Sequence, residues 1–465
     1  MAVINVKTNK RRGESNFSGG INTEQLTMDV GDTESTDEYG FDTDNYPSLT
    51  TRKGKAAYGA SGGAQTRMMA GFGNSQLLRA VGGTIQRDNG GTWTTVGTLT
   101  DACVDTANFE VDGAPALILV NGVDAPRFWN GTTLAVLGGT PPVGNYITAD
   151  PSRVFIAKGD VLYFCGFQDP EDWSSAENSG SVQYYTFAGG DITALYGYKD
   201  IKYLFKRDSM AGMYGVSYYD YKIVEISNSI GCVSNRTVQE VNGRLLFLGQ
   251  NDVYQFTQGN PVAIGGKIRA YLNRINQAQI DKCNAFTDEH RYYLNLVIDG
   301  ATEPNIRLVF DTRYNIWRVC ALGESFRAGV QFNSVLYVGN ASGQTYKVNT
   351  GTTDDGAAIP WSVTSKAFDE GIGEAEKEYK ELHVQGNFSP GSTLNISVSM
   401  ADRGESFTPI SYDPLGTAAA SLNKNLIIPL DTIPLTYWMR YRVSGSGPVS
   451  IYDLQRYFKV CRVQH

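Results

Sequence analysis

The chain has 465 residues and a formal net charge of −8 at pH 7, with 41% hydrophobic and 19% charged residues. Such a length allows two or three domains with large cores, and such a composition excludes an intrinsically disordered protein. The acidic balance argues against a surface that grips phosphates, because nucleic-acid binding depends on clustered Lys and Arg. The charge is still compatible with a surface along which nucleic acid slides without binding.

The composition also favours an all-β chain. Its 51 glycines suit tight turns and its 27 tyrosines suit half-buried strands. The six cysteines are too widely spaced for a CxxC pair or a zinc ribbon. Cys165 and Cys320 lie in strand-like runs, so we expect reduced thiols in the core of a protein made in a cytoplasm.

The first residues, MAVINVKTNKRRGESN, contain a basic cluster that is not followed by an apolar region. This pattern is not that of a signal peptide. No run in the chain reaches the roughly 18 apolar residues that a membrane-spanning helix requires. We therefore expect a soluble protein that does not leave the cell by secretion.

An acidic strap follows in residues 17–54, with no Lys or Arg in its acidic part before Arg52. Its seven carboxylates are Asp29, Asp32, Glu34, Asp37, Glu38, Asp42 and Asp44. Acidic blocks are usually solvated or disordered. Patterned sequence on both sides of this one indicates that it follows a defined path, and we assign residues 1–60 to an N-terminal strap and strand.

Residues 61–350 repeat a short apolar strand, a turn of small residues, a second strand with an aromatic residue, and Gly. The clearest copies are residues 77–97, 116–138, 244–266 and 334–351. Each copy can bury its faces only against its neighbours, which favours a β-propeller of about six or seven degenerate blades. The alternative is a sandwich of unrelated hairpins.

One helix is predicted to interrupt the propeller near residues 265–281. Its apolar residues, Ile268, Leu272, Ile275 and Ile280, have nearly helical spacing and should pack against the blades.

After a linker rich in Gly, Thr and Asp, residues 351–465 change to strands in which apolar and polar residues alternate. Turns containing Pro, Gly and Asp separate these strands. The pattern is typical of a C-terminal β-sandwich with a jelly-roll or lectin-like form.

No catalytic or metal-binding pattern stands out. The three histidines, His290, His383 and His465, are far apart, and His383 is predicted to face solvent from a strand. FDTDNY (residues 41–46) faintly resembles a calcium loop but lacks its Gly and its distal Glu. We therefore expect neither cofactor nor metal. A pair of carboxylates of the glycosidase kind cannot be identified from the sequence.

Aromatic clusters occur at residues 182–187, 215–226 and 436–443. Aromatic residues that alternate in strands are more often core residues than sugar-stacking surfaces. We expect most of these side chains to be buried.

The order of parts resembles that of the tail nozzle, or tail hub, β-propeller proteins of short-tailed bacteriophages, which include DNA-stabilisation proteins. The residues that carry the resemblance are Gly19, Gly20, Ile21, Asn22, Leu49, Arg52, Lys53 and Gly54, the blade-like units, and residues 361–369 at the sandwich entry. The resemblance extends over nearly the whole chain, and it rests on short motifs. Related propellers occur among minor tail proteins of long-tailed phages.

The resemblance implies a structural virion protein without enzymatic activity. It would form a homo-oligomeric, hexameric ring below portal and adaptor, with tail fibre, plug or needle proteins around and below it. DNA would pass through the lumen without specific binding during ejection. The acidic strap would line that lumen or clamp a neighbouring subunit, since carboxylates repel phosphates. The basic residues Lys7, Lys10, Arg11 and Arg12 would contact the adaptor.

Two other functions are compatible with the sequence. A glycan-binding propeller, acting in receptor recognition or as a lectin, would need exposed aromatic residues at equivalent positions of its blades. A glycosidase or depolymerase would need carboxylates roughly 5–10 Å apart in a cleft.

Overall fold

The computed structural model describes residues 11–400, 406–410, 415 and 422–463. These residues form a ring of antiparallel sheets and a sandwich of two further sheets. The predicted all-β class, with a propeller followed by a β-sandwich, is confirmed.

The N-terminal segment forms six short strands. They are β1 (Arg11–Ser15), β2 (Gly20–Ile21), β3 (Glu34–Tyr39), β4 (Phe41–Asp42), β5 (Leu49–Thr51) and β6 (Lys55–Ala57). Strands β1–β5 belong to the two sandwich sheets, whereas β6 belongs to the propeller. The described part of residues 1–60 is therefore not a unit of its own, contrary to our prediction.

The propeller has seven blades, which agrees with the predicted six to seven. Blades 1 to 3 contain β7 (Thr66–Phe72), β8 (Gln76–Val81), β9 (Thr84–Asn89), β10 (Thr92–Thr98); β11 (Asp105–Val111), β12 (Ala114–Val120), β13 (Arg127–Trp129), β14 (Leu134–Val136); and β15 (Tyr146–Ala149), β16 (Val154–Lys158), β17 (Val161–Phe164), β18 (Gly180–Gln183). Blades 4 and 5 contain β19 (Ala194–Tyr198), β20 (Ile201–Phe205), β21 (Met210–Tyr214), β22 (Lys222–Ser227); and β23 (Gln239–Val241), β24 (Arg244–Leu248), β25 (Val253–Phe256), β26 (Val262–Ala263). Blades 6 and 7 contain β27 (Asn284–Thr287), β28 (Arg291–Leu296), β29 (Ile306–Asp311), β30 (Ile316–Leu322); and β31 (Phe326–Phe332), β32 (Val335–Asn340), β33 (Thr345–Val348) with β6.

The ring closes in blade 7, where β6 pairs with β33 as the fourth strand. Residues from before the first blade thus complete the last one. A separate apolar cluster fills each of the seven spaces between adjacent blades, including the space between blades 7 and 1. Burial between blades is the main stabilising contribution, because each four-stranded sheet is too small to bury its own faces.

Tight turns set the register of several hairpins. Asp112 and Gly113 join β11 to β12, and Asn242 and Gly243 join β23 to β24, with positive φ at all four residues. Two successive residues in this conformation form the turn whose twist matches that of a β-hairpin.

The helix predicted near residues 265–281 is broken into short turns. Residues Gly266–Ile268 form a 3-10 turn, α1 spans Arg269–Leu272, and Gln277–Lys282 is again 3-10. The chain becomes extended at Asn276, whose side chain accepts a hydrogen bond from the Ala278 N–H and starts the last turn. The four apolar residues of the prediction are buried as expected.

Another 3-10 turn, Asn235–Thr237, precedes β23. In the part of the chain that the structure describes, no helix combines the length and the apolarity needed to cross a membrane.

The remaining strands are β34 (Thr353–Asp354), β35 (Ala357–Ala358), β36 (Pro360–Ser365), β37 (Ala375–Phe388), β38 (Thr393–Ser399), β39 (Thr408–Pro409), β40 (Leu422–Pro429), β41 (Arg440–Ser446) and β42 (Val449–Val463). One sandwich sheet has the order β4-β5-β42-β37-β40, with β1 also paired to β42. The other has the order β2-β3-β36-β41-β38-β39. β34 and β35 extend blade 7. Trp361, Tyr379 and Tyr441 are buried in the core between the two sandwich sheets.

Candidate functional site

The strap lies against the outer strand of blade 6, where β2, β3 and β4 contact β30. We call this junction between sandwich and propeller the seam. At its centre Arg318 of β30 donates to Glu38 of β3 at 2.8 Å, and both side chains are fully buried. Arg318 also donates to the Phe17 carbonyl, and Glu38 accepts from the Ser35 hydroxyl. This ion pair joins the two domains within one chain.

A second group of charges lies at the edge of the seam. Arg291 of blade 6 contacts Asp44 at 2.6 Å and Asp42 at 3.8 Å, and Lys53 contacts Asp44 at 3.2 Å. Burial, together with the nearby charge of Asp44, raises the pKa of Asp42 to about 6 despite the opposing effect of Arg291. Asp42 and Asp44, the carboxylates of the loose calcium-loop resemblance, thus lie against cationic side chains.

Two further carboxylates of the strap have partners in the helical turns between blades 5 and 6. Glu34 contacts Lys267 at 2.7 Å, and Asp37 accepts from the Tyr271 hydroxyl at 3.4 Å. Burial would raise the pKa of Glu34, but Lys267 and other hydrogen-bond donors outweigh it and lower the pKa.

Asp29, Asp32 and Asp44 are exposed residues. The carboxylate of Asp44 is already paired with Arg291 and Lys53, and its side chain is only 21% exposed. Asp32 contacts Lys366 of the sandwich at 2.8 Å. The expectation of seven carboxylates lining a lumen or clamping a neighbour is therefore wrong for Glu38 and Asp42, which are buried within the chain. It stays a prediction for the other five, Asp29, Asp32, Glu34, Asp37 and Asp44, none of which is buried.

The ring closure has its own buried charges. Glu324 contacts Lys55 of β6 at 2.6 Å and Arg307 of blade 6 at 3.0 Å, while Arg52 makes two hydrogen bonds to Asp354. Burial would raise the pKa of Glu324, but the three neighbouring cations outweigh it and lower the pKa. These pairs hold the N-terminal segment where it passes from sandwich to propeller.

The predicted adaptor contact falls largely outside the described residues. Lys7 and Lys10 lie outside them, and only the backbone of Arg11 is described. Arg12 lies on β1 at the sandwich, is exposed, and pairs with Glu14.

The two described histidines lie in different domains, His290 in the propeller and His383 in the sandwich. His290 lies in the turn between β27 and β28, and its ring Nε2 is 3.8 Å from the carboxylate of Glu289. His383 lies on β37 with its ring against Tyr457 and 2.9 Å from Glu381. His383 alternates with the buried residues Leu382 and Val384 and lies on the outer face of the strand, as expected, but neighbouring side chains leave only 11% of its side chain exposed. His465 is outside the described residues.

The cysteines divide into two sets. Cys165, Cys232, Cys283 and Cys320 are buried free thiols, as expected for core positions, and burial raises the pKa of Cys165 to about 12. Cys103 and Cys461 are exposed.

The aromatic clusters are less buried than we expected. Tyr184 and Tyr441 are core residues, but Tyr185 and Phe187 point outwards and Tyr219 is 73% exposed. Tyr184 and Tyr185 directly follow β18, and only Tyr184 packs in the core.

Three of the exposed rings form a surface that we call the aromatic ledge, composed of Phe167, Tyr218 and Tyr219. Phe167 lies in the loop between β17 and β18, and the two tyrosines lie in the corresponding loop of blade 4, between β21 and β22. The Tyr219 hydroxyl donates to Glu177 of blade 3 at 2.7 Å, which ties the two loops together. Arg153 lies below, 6.0 Å from the Phe167 ring.

A polar cavity of about 340 Å³ occupies the propeller axis. All seven blades contribute to its wall through residues that include Met69, Asn108, Thr148, Gly197, Gln239, Asn284 and Gly329.

One end of this axial cavity is crossed by Asn235 and Arg236, which we call the axial plug. Arg236 of blade 5 donates to the Arg327 carbonyl of blade 7 at 3.0 Å and to the Arg67 carbonyl of blade 1. Asn235 donates to Asp105 of blade 2 at 3.3 Å. Burial raises the pKa of Asp105 to about 6. Sequence reasoning missed this plug, because the turn that carries it has no counterpart in the other repeats.

No protein-family model matches the sequence, and no curated protein matches it. Among solved structures, the chain is similar to BamB from Moraxella catarrhalis, at 9% identity and a TM-score of 0.41 over 67% of this chain and 96% of that one. It is also similar to the computationally designed protein Ika8, at 9% identity and a TM-score of 0.40 over 64% and 99% of the two chains. A third is the extracellular domain of a one-component system from B. thetaiotaomicron, at 10% identity and a TM-score of 0.43, where 65% of this chain matches 40% of the other. The fold assignment rests on the sheet order and ring closure above.

Proposed function

We propose that the chain is a structural, non-catalytic subunit of a bacteriophage tail nozzle, made in the host bacterial cytoplasm and built into the virion tail. The observation that carries the proposal is the path of the N-terminal segment, which supplies strands to both sandwich sheets and then the closing strand of blade 7. Ion pairs at the seam, Arg318–Glu38, and at the ring closure, Arg52–Asp354, fix the domains to each other. A nozzle that joins an adaptor above to fibre, plug or needle proteins below requires such a rigid body.

The axial plug gives this proposal a specific geometry. Arg236 crosses the propeller axis, so that axis cannot be the path of the genome. The lumen of the nozzle lies instead between subunits of a hexameric ring. Asp29 and Asp32 are exposed strap carboxylates that could face such a lumen or a neighbouring subunit, whereas the exposed Asp44 is already paired with Arg291 and Lys53. Carboxylates there would deny DNA phosphates a binding site.

The test is assembly. The purified chain, alone and mixed with phage heads that carry the adaptor, is measured by sedimentation velocity and by electron microscopy class averages. We expect hexameric rings, either free or seated below the adaptor. A chain that stays monomeric in both preparations contradicts the proposal. A matched variant, Asp32→Lys, keeps the fold and tests whether the exposed part of the strap contacts a neighbour.

A second candidate function is glycan binding in host-receptor recognition, which the aromatic ledge supports. Exposed rings at the same loop of two adjacent blades, with the Glu177 carboxylate beside them, suit stacking on sugar rings and hydrogen bonding to hydroxyls. A glycan array probed with the intact chain and with Tyr219→Ala tests it. Binding lost in Tyr219→Ala, but retained in Phe187→Ala on a different surface loop, supports this function. Absence of binding by the intact chain removes it.

A further inference from the structure

We propose that the axial cavity is a binding site for a small oxyanion, a molecule that presents carboxylate or phosphate oxygens to the guanidinium groups at the plugged end. The inference rests on the cavity and its charges and does not depend on ring assembly. It therefore stands or falls separately from the nozzle proposal.

The first argument is that Arg236 is held in place across the axis. Its two hydrogen bonds reach carbonyls of blades 7 and 1, which are far apart in the chain. A guanidinium has five N–H donors in a rigid plane, so two bonds to carbonyls leave others for a ligand. Arg236 makes no hydrogen bond to a carboxylate among the described residues. Its charge is positioned but not neutralised by a bonded partner.

The second argument is Arg327, which lines the same cavity on the innermost strand of blade 7. The side chain is buried, and its Nε and Nη1 groups make no hydrogen bond within the described part of the chain. The nearest carboxylate, that of Glu303, is 3.5 Å from Nη1, and Glu303 also contacts Lys282. A buried guanidinium with unfilled donors is costly, and an anion beside it offsets that cost.

The third argument is the balance of the surrounding charges. Arg67 is paired with Asp101 at 2.6 Å and does not line the cavity. Asp105 is the carboxylate that lines the cavity, and its oxygens accept from the backbone N–H groups of Thr106 and Ile147 and from Asn235. Asp105 therefore opposes two cavity-lining guanidiniums, Arg236 and Arg327. The net charge favours an anion.

The cavity also has the right size and lining. Its volume of about 340 Å³ suits a small molecule and excludes a polymer. Its wall is formed by the innermost strands, whose free edges carry backbone N–H groups that no neighbouring strand pairs. Bidentate contacts between arginine and an oxyanion, supplemented by backbone donors, are the usual means of holding carboxylate or phosphate.

The experiment measures inorganic phosphate and citrate binding by titration calorimetry on the full chain at constant ionic strength, with chloride as the reference anion. We expect saturable binding of at least one of the two probes. Arg236→Gln should weaken it about tenfold or more, because a charge-assisted hydrogen bond is lost. Arg244→Gln, on the second strand of the same blade and away from the cavity, should leave it unchanged.

Asp105→Asn makes the test independent of folding defects, because it removes the opposing charge and should tighten binding. General destabilisation would weaken binding in both variants, whereas the site predicts opposite changes. Binding of neither probe by the intact chain overturns the proposal. So does equal binding by Arg236→Gln and the intact chain, or weaker binding by Asp105→Asn.

Discussion

Glu38→Gln isolates the contribution of the buried ion pair at the seam. The substitution conserves the size of the side chain, so it removes a charge without leaving a cavity. Arg318, whose side chain is 1% exposed, then keeps its charge. The Phe17 carbonyl is its one hydrogen-bond acceptor among these partners that the substitution leaves unchanged. Removing one partner of a buried pair costs about 3–5 kcal/mol, because the other charge stays buried without compensation. We expect a loss of that size in the free energy of unfolding.

Urea unfolding followed by tryptophan fluorescence measures this loss, because urea is uncharged and does not screen the pair. The matched control is Asp32→Asn in the same strap, where the carboxylate is 70% exposed and the expected loss is at most about 1 kcal/mol. The double variant Glu38→Leu with Arg318→Met should recover most of the loss, since paired removal leaves no buried charge. Equal stability of Glu38→Gln and Asp32→Asn would refute the idea that this pair joins the domains.

Three further predictions concern pH, backbone contacts and the surface. The raised pKa of Asp42, about 6, means that the folded state binds a proton at this carboxyl more tightly than the unfolded state does. The stabilisation that this proton contributes is present below pH 4 and is lost as the pH rises through 6. Asp42→Asn should therefore gain about 2 kcal/mol relative to the parent between pH 4 and pH 7.5 in urea unfolding, and a difference independent of pH would contradict the shift. Gly139 and Gly371 have the same φ, +70° and +69°, but an added Cβ at Gly139 would lie 1.4 Å from the Glu171 carbonyl while one at Gly371 meets nothing. Gly371→Ala should cost about 1 kcal/mol and Gly139→Ala clearly more, by calorimetric melting; equal losses would be inconsistent with the close approach of Glu171 to Gly139. Phe187→Ser should change stability by less than about 0.5 kcal/mol, because the ring is fully exposed, and a larger loss would place this loop against another part of the chain.

The blades were predictable from the sequence because their second, third and fourth strands carry the repeated signals. Residues 77–97, for example, contain β8, β9 and β10 with their turns. The innermost strands vary more in sequence and length, from TRMMAGF in blade 1 to QEV in blade 5. They vary because they line a polar axis and do not form an apolar repeat. The repeat therefore predicts the architecture, but it does not predict which residues lie at the propeller axis.

The ion-pair partners of the acidic strap could not be predicted from the sequence. A block of carboxylates without nearby cations in the sequence is typical of a solvated segment. Here the cations come from residues far along the chain, such as Arg291 and Arg318, which the fold brings to Asp44 and Glu38. Only tertiary structure supplies these partners, because no local spacing rule connects residues nearly 250 or more positions apart.

The most direct test of the nozzle assignment is electron microscopy of phage particles made with this reading frame interrupted, together with an assay of their packaged DNA. We predict heads that lack the tail tip and lose their genome, with normal particles restored by the intact chain supplied in trans. Complete, DNA-filled particles that fail only to adsorb to cells would contradict the nozzle assignment and would favour receptor recognition through the aromatic ledge.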